Sequence, residues 1–98
     1  MYVRVWEYDV PAGRVEAFVA AYGPAGDWVR LFRGGEGFLG TELYADVAAE
    51  GRFLTVDRWS DESAWRTFLN ARRDAYEALD RRLETLGADE RRLVECSS

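Results

Sequence analysis

Three stretches of the chain, Tyr2–Tyr8, Phe38–Ala45 and Arg52–Trp59, are predicted to form β-strands. The first of them is rich in aromatic and β-branched residues, which favour strands. The short connection over residues 46–51 predicts that the second and third strands pair as a hairpin. A fourth, shorter strand is predicted over Arg91–Cys96.

A helical period separates the first two strands. Apolar side chains three or four positions apart, which form one face of an amphipathic helix, occur at Val15, Phe18, Val19 and Tyr22. The segment Gly23–Gly26 ends this helix. A second, short helix follows, with Asp27 as its expected N-cap and with Gly34 and Gly35 at its end. Its apolar side consists of Trp28, Leu31 and Phe32.

The longest helix is predicted from about Asp61 to Leu86, with Ser60 as the expected N-cap and Gly87 at the C-terminal cap. Its apolar stripe consists of Trp65, Phe68, Leu69, Tyr76, Leu79 and Leu83. Arg72 lies in the middle of this stripe. Because burying a lone guanidinium is costly, we expect Arg72 to meet a carboxylate or an anionic ligand, or to extend its head into solvent.

The order of these elements, βαββαβ, predicts the fold. We expect an α+β, ferredoxin-like domain spanning residues 1–98, with a four-stranded antiparallel sheet and the helices on one of its faces. Trp6 and Tyr8 share one face of the first strand, whereas Val3 and Val5 share the other. Since the helices cover only one face, the apolar residues of the other face predict a homodimer that packs sheet to sheet.

The charge and the cysteine content narrow the functional classes. The net charge of −5 argues against binding to nucleic acid or to an anionic membrane surface. The chain has no histidine, so it lacks the commonest metal ligand and the side chain best suited to act as a base at neutral pH. With one cysteine, and with neither an apolar span nor a signal-peptide pattern, we expect a cytoplasmic protein that binds no metal. Every positive side chain is an arginine, which is typical of a GC-rich, bacterial genome.

Two parts of the sequence resemble a known family. The segment Leu54–Ser60 enters the long helix, whose first aromatic residues are Trp65, Phe68 and Tyr76. Together with the segment Tyr22–Trp28, this pattern resembles the antibiotic-biosynthesis-monooxygenase-like group of the dimeric α/β-barrel superfamily. The resemblance spans almost the whole chain and implies the same ferredoxin-like fold and a dimer.

The resemblance is compatible with several different activities. The superfamily includes cofactor-independent oxygenases of polycyclic aromatic compounds, haem-degrading enzymes, isomerases and proteins without known activity. The haem-degrading branch uses an axial histidine, which this chain lacks. The resemblance therefore favours the cofactor-independent branch, in which Trp, Tyr, Asn and Arg side chains surround an apolar cavity. The one asparagine, Asn70, is predicted to point away from the apolar stripe into solvent.

Cofactor-independent oxygenation requires a base, a group that stabilises the substrate anion, and the exclusion of water. Asp57 on the third strand is the candidate base. Arg72 and Tyr76 lie one helical turn apart and are the candidates for holding a phenolate or enolate oxygen. The alternative for Arg72 is a buried ion pair with Asp57, Glu42 or Glu7.

Four aromatic residues are candidate walls for an aromatic substrate, namely Trp6, Trp59, Trp65 and Phe68. The alternative is that each belongs to the core or to a dimer interface, which is the commoner role of a large aromatic side chain.

These observations predict a cofactor-independent monooxygenase of an aromatic or polyketide-like small molecule, bound between the sheet and the long helix. One alternative is a non-catalytic, dimeric ligand-binding or accessory domain of the same fold. Another is an isomerase that uses the same base without oxygen. An open cavity with Arg72 and Tyr76 on its wall favours an enzyme, whereas a core filled by Trp65 and Phe68 favours a non-catalytic protein.

Overall fold

The computed structural model describes residues 1–98 and confirms the α+β, ferredoxin-like fold. Its strands are β1 (Tyr2–Asp9), β2 (Phe38–Ala45), β3 (Arg52–Trp59) and β4 (Asp89–Ser97). Its α-helices are α1 (Val15–Tyr22), α2 (Asp27–Phe32) and α3 (Glu62–Leu83), and short 3-10 turns cover Ala12–Arg14 and Glu84–Leu86. The strands form one antiparallel sheet in the order β2-β3-β1-β4. None of the helices combines the length and the apolar character needed to cross a lipid bilayer.

The starts of two helices differ from the sequence prediction. Asp61, and not Ser60, is the N-cap of α3, because its carboxylate accepts a hydrogen bond of 2.7 Å from the backbone N–H of Ala64. Ser60 still belongs to the sheet side of the junction, since its own N–H donates at 2.7 Å to a carbonyl of the loop before β2. At α2 the N-cap position falls on Gly26, and the Asp27 carboxylate forms ion pairs with two arginines.

The C-terminal part of the chain also departs from the prediction. α3 is bent at Arg72, whose φ of −122° and ψ of 25° lie outside the helical range. The helix ends at Leu83, earlier than expected, and a 3-10 turn leads to Gly87, whose φ of 70° is the left-handed cap conformation that the sequence predicts. β4 is longer than predicted. A non-helical residue inside α3 breaks the phase between the apolar side chains before and after it.

Aromatic side chains form most of the core between the helices and the sheet. Phe18 and Trp59 are fully buried, and Phe32 of α2 packs against Trp59 and Phe68 with ring centroids 5.6 Å apart in both pairs. Burial of a large apolar side chain contributes roughly 1.5–3 kcal/mol, and tilted ring pairs add to this. The helix-facing side of β3 carries Phe53, Thr55, Asp57 and Trp59, as the alternation of the sequence predicts.

No helix covers the opposite face of the sheet. Val5 lies at the centre of this open face, opposite Val56 of β3 and Val94 of β4. Val3 and Leu54 lie in the neighbouring rows, and all five side chains are half-buried or exposed. We call these five residues the aliphatic strip. At one end of the sheet, two carboxylates of β1 form ion pairs with arginines of β3 and β4.

Candidate active site

A cavity of about 160 Å³ lies between the sheet and α3. Most of its wall is aromatic and consists of Trp6, Tyr8, Tyr22, Trp28, Phe32, Trp65 and Tyr76. Its polar lining consists of Arg4, Thr41, Thr55, Asp57, Asp80 and Glu90. All four strands and all three α-helices contribute at least one of these residues, so the whole fold is needed to form the cavity.

The register of the sheet places polar residues in one row at one end of the cavity. Arg4 of β1 lies opposite Asp57 of β3, and Asp57 lies opposite Thr41 of β2. On its other side, Arg4 lies opposite Glu95 of β4. Directly opposed residues in an antiparallel sheet project from the same face. The row therefore brings a carboxylate and a guanidinium next to each other on the helix-covered face.

Asp57 is a half-buried carboxylate that has no ion pair within the protein. Its Oδ1 accepts a hydrogen bond of 2.7 Å from the hydroxyl of Thr41. Burial raises the pKa of Asp57 from 3.8 to about 6, although the Thr41 hydrogen bond and the positive charge of Arg4 act in the opposite direction. A carboxylate with this pKa is mostly ionised at neutral pH and is a stronger base than an ordinary aspartate.

Arg4 supplies the positive charge of the site. Its side chain is only 11% exposed, and Nη1 donates to Oε1 of Glu95 at 3.0 Å. The guanidinium carbon lies 4.3 Å from the centroid of the Trp65 ring and 5.8 Å from that of Trp6, within the range of cation–π attraction. Its Nε and Nη2 make no hydrogen bond within the protein, so both remain able to donate to an anion.

Tyr76 of α3 closes the cavity on the side opposite the sheet. Its ring centroid lies 5.0 Å from that of Trp28 and 6.0 Å from that of Trp65. Burial raises the pKa of Tyr76 and of Tyr8, and it raises the pKa of Tyr22 to about 12. All three phenols therefore keep their protons at neutral pH and can donate hydrogen bonds.

The other end of the cavity is acidic. Glu90 of β4 lies opposite Tyr8 of β1, and Asp80 follows Tyr76 by one turn of α3. Burial and the nearby charges of Asp80 and Glu84 raise the pKa of Glu90. Neither Asp80 nor Glu90 forms an ion pair with an arginine.

The predicted position of Arg72 on the cavity wall is wrong. Its side chain is exposed and lies over the backbone at the end of α2, where a Cβ on Gly34 would come within 2.8 Å of Nη1. It forms neither a buried ion pair nor a contact with the cavity. The reason is the bend in α3, since the non-helical backbone at Arg72 turns this position away from the apolar stripe.

Two of the four predicted aromatic walls lie in the core instead. Trp59 is fully buried, Phe68 is 3% exposed, and their ring centroids are 5.2 Å apart, behind the cavity wall. Trp59 and Phe68 therefore belong to the core, which was the alternative to a role in binding substrate. Trp6 and Trp65 do line the cavity, together with the predicted Asp57 and Tyr76.

The sequence interpretation missed several residues of the cavity. Arg4 is the most consequential, and a signal for it was present, because the alternation of β1 places it on the same face as Trp6 and Tyr8. Thr41 could have been found in the same way from β2. The acidic pair Asp80 and Glu90 could not, because it depends on how α3 meets β4.

Side chains that bind metal ions do not gather anywhere in this structure. No three His, Cys, Asp or Glu residues are grouped in an arrangement that could hold a metal. The one cysteine, Cys96, is exposed on β4 and does not line the cavity.

Comparisons with solved structures agree on the fold. SnoaB, a cofactor-independent oxygenase from Streptomyces nogalater, aligns with a TM-score of 0.73 and 15% identity over 99% of this chain and 91% of that chain. The monooxygenase from the gene ActVA-Orf6 of Streptomyces coelicolor, in complex with nanaomycin D, aligns with a TM-score of 0.67 and 22% identity over 99% and 86% of the two chains. A dimeric ferredoxin-like protein from an uncultured marine organism aligns with a TM-score of 0.71 and 11% identity over 95% and 91%.

The sequence itself also carries a family match. No curated protein matches the chain. The family model described as antibiotic biosynthesis monooxygenase, however, matches residues 1–82. Since this match covers most of the 98 residues, the chain belongs to the antibiotic biosynthesis monooxygenase family.

Proposed function

We propose that this protein is a cofactor-independent monooxygenase that acts on an aromatic or polyketide-like small molecule bound in the cavity between the sheet and α3. Membership of the family and the fold shared with cofactor-independent oxygenases support the reaction class. The single observation that carries the proposal is the pair of Asp57 and Arg4, a carboxylate of raised pKa next to a cation inside an aromatic cavity.

In the proposed reaction, Asp57 removes a proton from the substrate and Arg4 stabilises the anion that results. The electron-rich anion then transfers electrons to dioxygen, and no cofactor takes part. Overall, a phenol with an unsubstituted ring carbon beside or opposite its hydroxyl group and one O₂ give a quinone and one water. The substrate loses two hydrogen atoms and gains one oxygen atom, so the four electrons that leave it reduce both atoms of O₂.

The aromatic residues have supporting roles in this proposal. Trp6 and Trp65 stack against the substrate, and Trp65 also lies against the guanidinium of Arg4. Tyr76 keeps its proton at neutral pH because its pKa is raised, and it donates a hydrogen bond to the phenolate or enolate oxygen. The role that the sequence suggested for Arg72 passes to Arg4, because Arg4 is the cation that reaches the cavity.

We also propose that residues 1–98 act as one domain and that two copies form a homodimer through the open face. The aliphatic strip supports this, because it leaves a row of apolar side chains without cover. The structurally similar protein from an uncultured marine organism is described as dimeric, which agrees with such an arrangement. The cytoplasmic location remains a prediction from the sequence.

Oxygen consumption tests the reaction class directly. The protein would be mixed with phenols of one, two and three rings in an oxygen electrode, and the products of an ¹⁸O₂ incubation would be analysed by mass spectrometry. We expect one O₂ consumed per quinone formed, with one ¹⁸O atom in the quinone and the other in water. Conversion of a substrate without oxygen uptake would show an isomerase instead. Binding without conversion of any phenol would show a non-catalytic protein.

A further inference from the structure

We propose that the compound bound in the cavity is a phenol with a single aromatic ring, which carries a basic amine on the side of the ring opposite its hydroxyl group. This inference rests on the proposed oxygenase function and narrows its substrate class. It is carried by the volume of the cavity, by the separation of charges between its two ends, and by an unpaired donor in its wall.

The volume fits one ring. An engineered protein cavity of about 150 Å³ binds benzene, and the present cavity of about 160 Å³ is nearly the same size. Its walls are also closely packed, since Phe32, Trp65 and Trp28 are 4%, 5% and 8% exposed and each contacts other rings. Protein interiors of this density do not expand without cost. Because the cavity is partly open to solvent, a fused second or third ring would have to lie in that opening or displace the aromatic wall.

The charged groups at the two ends differ: one end holds a guanidinium beside the proposed base, whereas the other end holds carboxylates alone. Arg4 marks one end, and Glu90 is paired with Tyr8 at the other. Arg4 and Tyr8 are four residues apart on β1, so the two ends are separated by about 13 Å along the strand. Asp80 adds a second carboxylate at the Glu90 end, and neither carboxylate has an arginine partner.

This polarity orients a molecule with two different ends. A phenolate oxygen beside Arg4 is adjacent to Asp57, the proposed base, while an ammonium group beside Asp80 and Glu90 neutralises their mutual repulsion. A substrate with an anionic substituent would place like charges together at the acidic end. The cavity therefore selects both the size of the ring system and the sign of its substituent.

A donor in the wall also lacks a partner. The indole N–H of Trp28 is buried and makes no well-aligned hydrogen bond within the protein, although it lies close enough to the Tyr22 hydroxyl to lower the pKa of that group. Trp28 is 8% exposed and lines the same cavity as Asp80 and Glu90. An unpaired buried donor is costly, and an acceptor atom on a bound molecule, such as a second ring hydroxyl, would satisfy it.

Binding measurements separate this inference from the oxygenase reaction. Isothermal titration calorimetry under argon would compare three one-ring phenols of similar length, namely tyramine, 4-ethylphenol and 4-hydroxyphenylacetate. We expect tyramine to bind about tenfold more tightly than 4-ethylphenol, and 4-hydroxyphenylacetate to bind about tenfold more weakly. Equal affinities for the three compounds, or tighter binding of a tricyclic phenol than of tyramine, would overturn the inference.

Two variants test whether Asp80 and Glu90 cause the expected preference for tyramine. The double variant Asp80→Asn, Glu90→Gln should lose about tenfold in affinity for tyramine and change that for 4-ethylphenol by less than about twofold. Asp74→Asn is the matched control, because Asp74 is exposed on α3 outside the cavity, and its removal should leave the preference intact. If the double variant weakened tyramine and 4-ethylphenol equally, the carboxylates would not be the cause of the selectivity.

The two proposals fail in different ways. Selective binding of tyramine without oxygen consumption by any phenol upholds this inference and contradicts the oxygenase function. Oxygen consumption with a tricyclic phenol that binds more tightly than tyramine does the reverse.

Discussion

The two faces of the sheet are built from the same four strands, yet Asp57 on one face and Asp9 on the other have different surroundings. On the covered face, Asp57 is half-buried, with one hydrogen bond from Thr41 and no ion pair. On the open face, Asp9 is partly exposed and forms two ion pairs. Its Oδ1 lies 3.0 Å from Nε of Arg52, and its Oδ2 lies 3.3 Å from Nη1 of Arg91. The comparison shows where reactivity can arise: a carboxylate becomes a useful base where it is desolvated and left without a cation partner at ion-pair distance.

The same contrast holds for the apolar residues. The covered face places large rings around an unfilled space, whereas the open face presents the small, closely spaced side chains of the aliphatic strip. Rings of fixed shape pack at angles and can leave a cavity between them, as seen where Trp28, Tyr76 and Trp65 meet. Aliphatic side chains on a flat sheet fit instead against another flat surface. One face is therefore suited to a small molecule and the other to association.

The largest expected effect comes from the proposed base on the covered face. Asp57→Asn keeps the shape of the side chain and its acceptor for Thr41 but removes the basic oxygen. We expect oxygen consumption to fall by roughly 10²–10⁴-fold, the usual contribution of a general base. In the wild-type protein, activity should rise with pH around a midpoint of about 6, because only the ionised carboxylate accepts a proton. Activity retained by the variant would show that another group is the base.

The same substitution should increase stability, which distinguishes loss of the base from misfolding. The folded protein holds the Asp57 proton more tightly than the unfolded chain, since the pKa is about 6 in one and 3.8 in the other. The favourable contribution is thus complete below pH 4 and is lost as the pH rises through 6. Between pH 4 and pH 7.5, urea unfolding should show the variant gaining at most about 3 kcal/mol on the wild type.

The second prediction compares two arginines, one inside the cavity and one outside it. Arg4→Met should lower the rate of oxygen consumption by about 10²-fold, because it removes the donor to the developing anion. It should also move the pH midpoint upward, since the charge of Arg4 lowers the pKa of Asp57. Arg72→Met should change the stability by less than about 0.5 kcal/mol, as expected for an exposed side chain without an ion pair. A loss of activity in Arg72→Met as large as that in Arg4→Met would contradict this assignment.

The difference between these arginines also shows what the sequence could predict. In a strand, the face of each residue follows from alternation alone, so Asp57 and Trp6 could be placed on the covered face, and Arg4 could have been placed there too. On α3, the apolar spacing pointed to Arg72, but the helical phase is broken at that residue. Neither glycine nor proline occurs at this position, so no local signal marks the bend.

How deeply a side chain is buried was harder to predict than which face of its strand or helix it occupies. Trp59 and Trp65 are the same residue type on consecutive elements, β3 and α3, yet Trp59 is enclosed by the core and Trp65 borders the cavity. Their sequence neighbourhoods do not distinguish them, because the outcome depends on how α2 packs Phe32 against both rings. The fold could therefore be predicted from patterns, whereas the exact lining of the cavity required the tertiary packing.

The smallest expected effect concerns the open face. Val5→Arg places a charge at the centre of the aliphatic strip, beside Val56 and Val94, and should raise the dissociation constant of the proposed dimer by about tenfold or more. Val47→Arg is the matched control, because Val47 is fully exposed in the loop between β2 and β3. Light scattering over a dilution series should show a dimer for the wild type and the control, and dissociation at higher concentrations for Val5→Arg. A wild-type protein that is monomeric at micromolar concentration would mean that the open face has some other cover, and that the covered face forms its cavity without a second subunit.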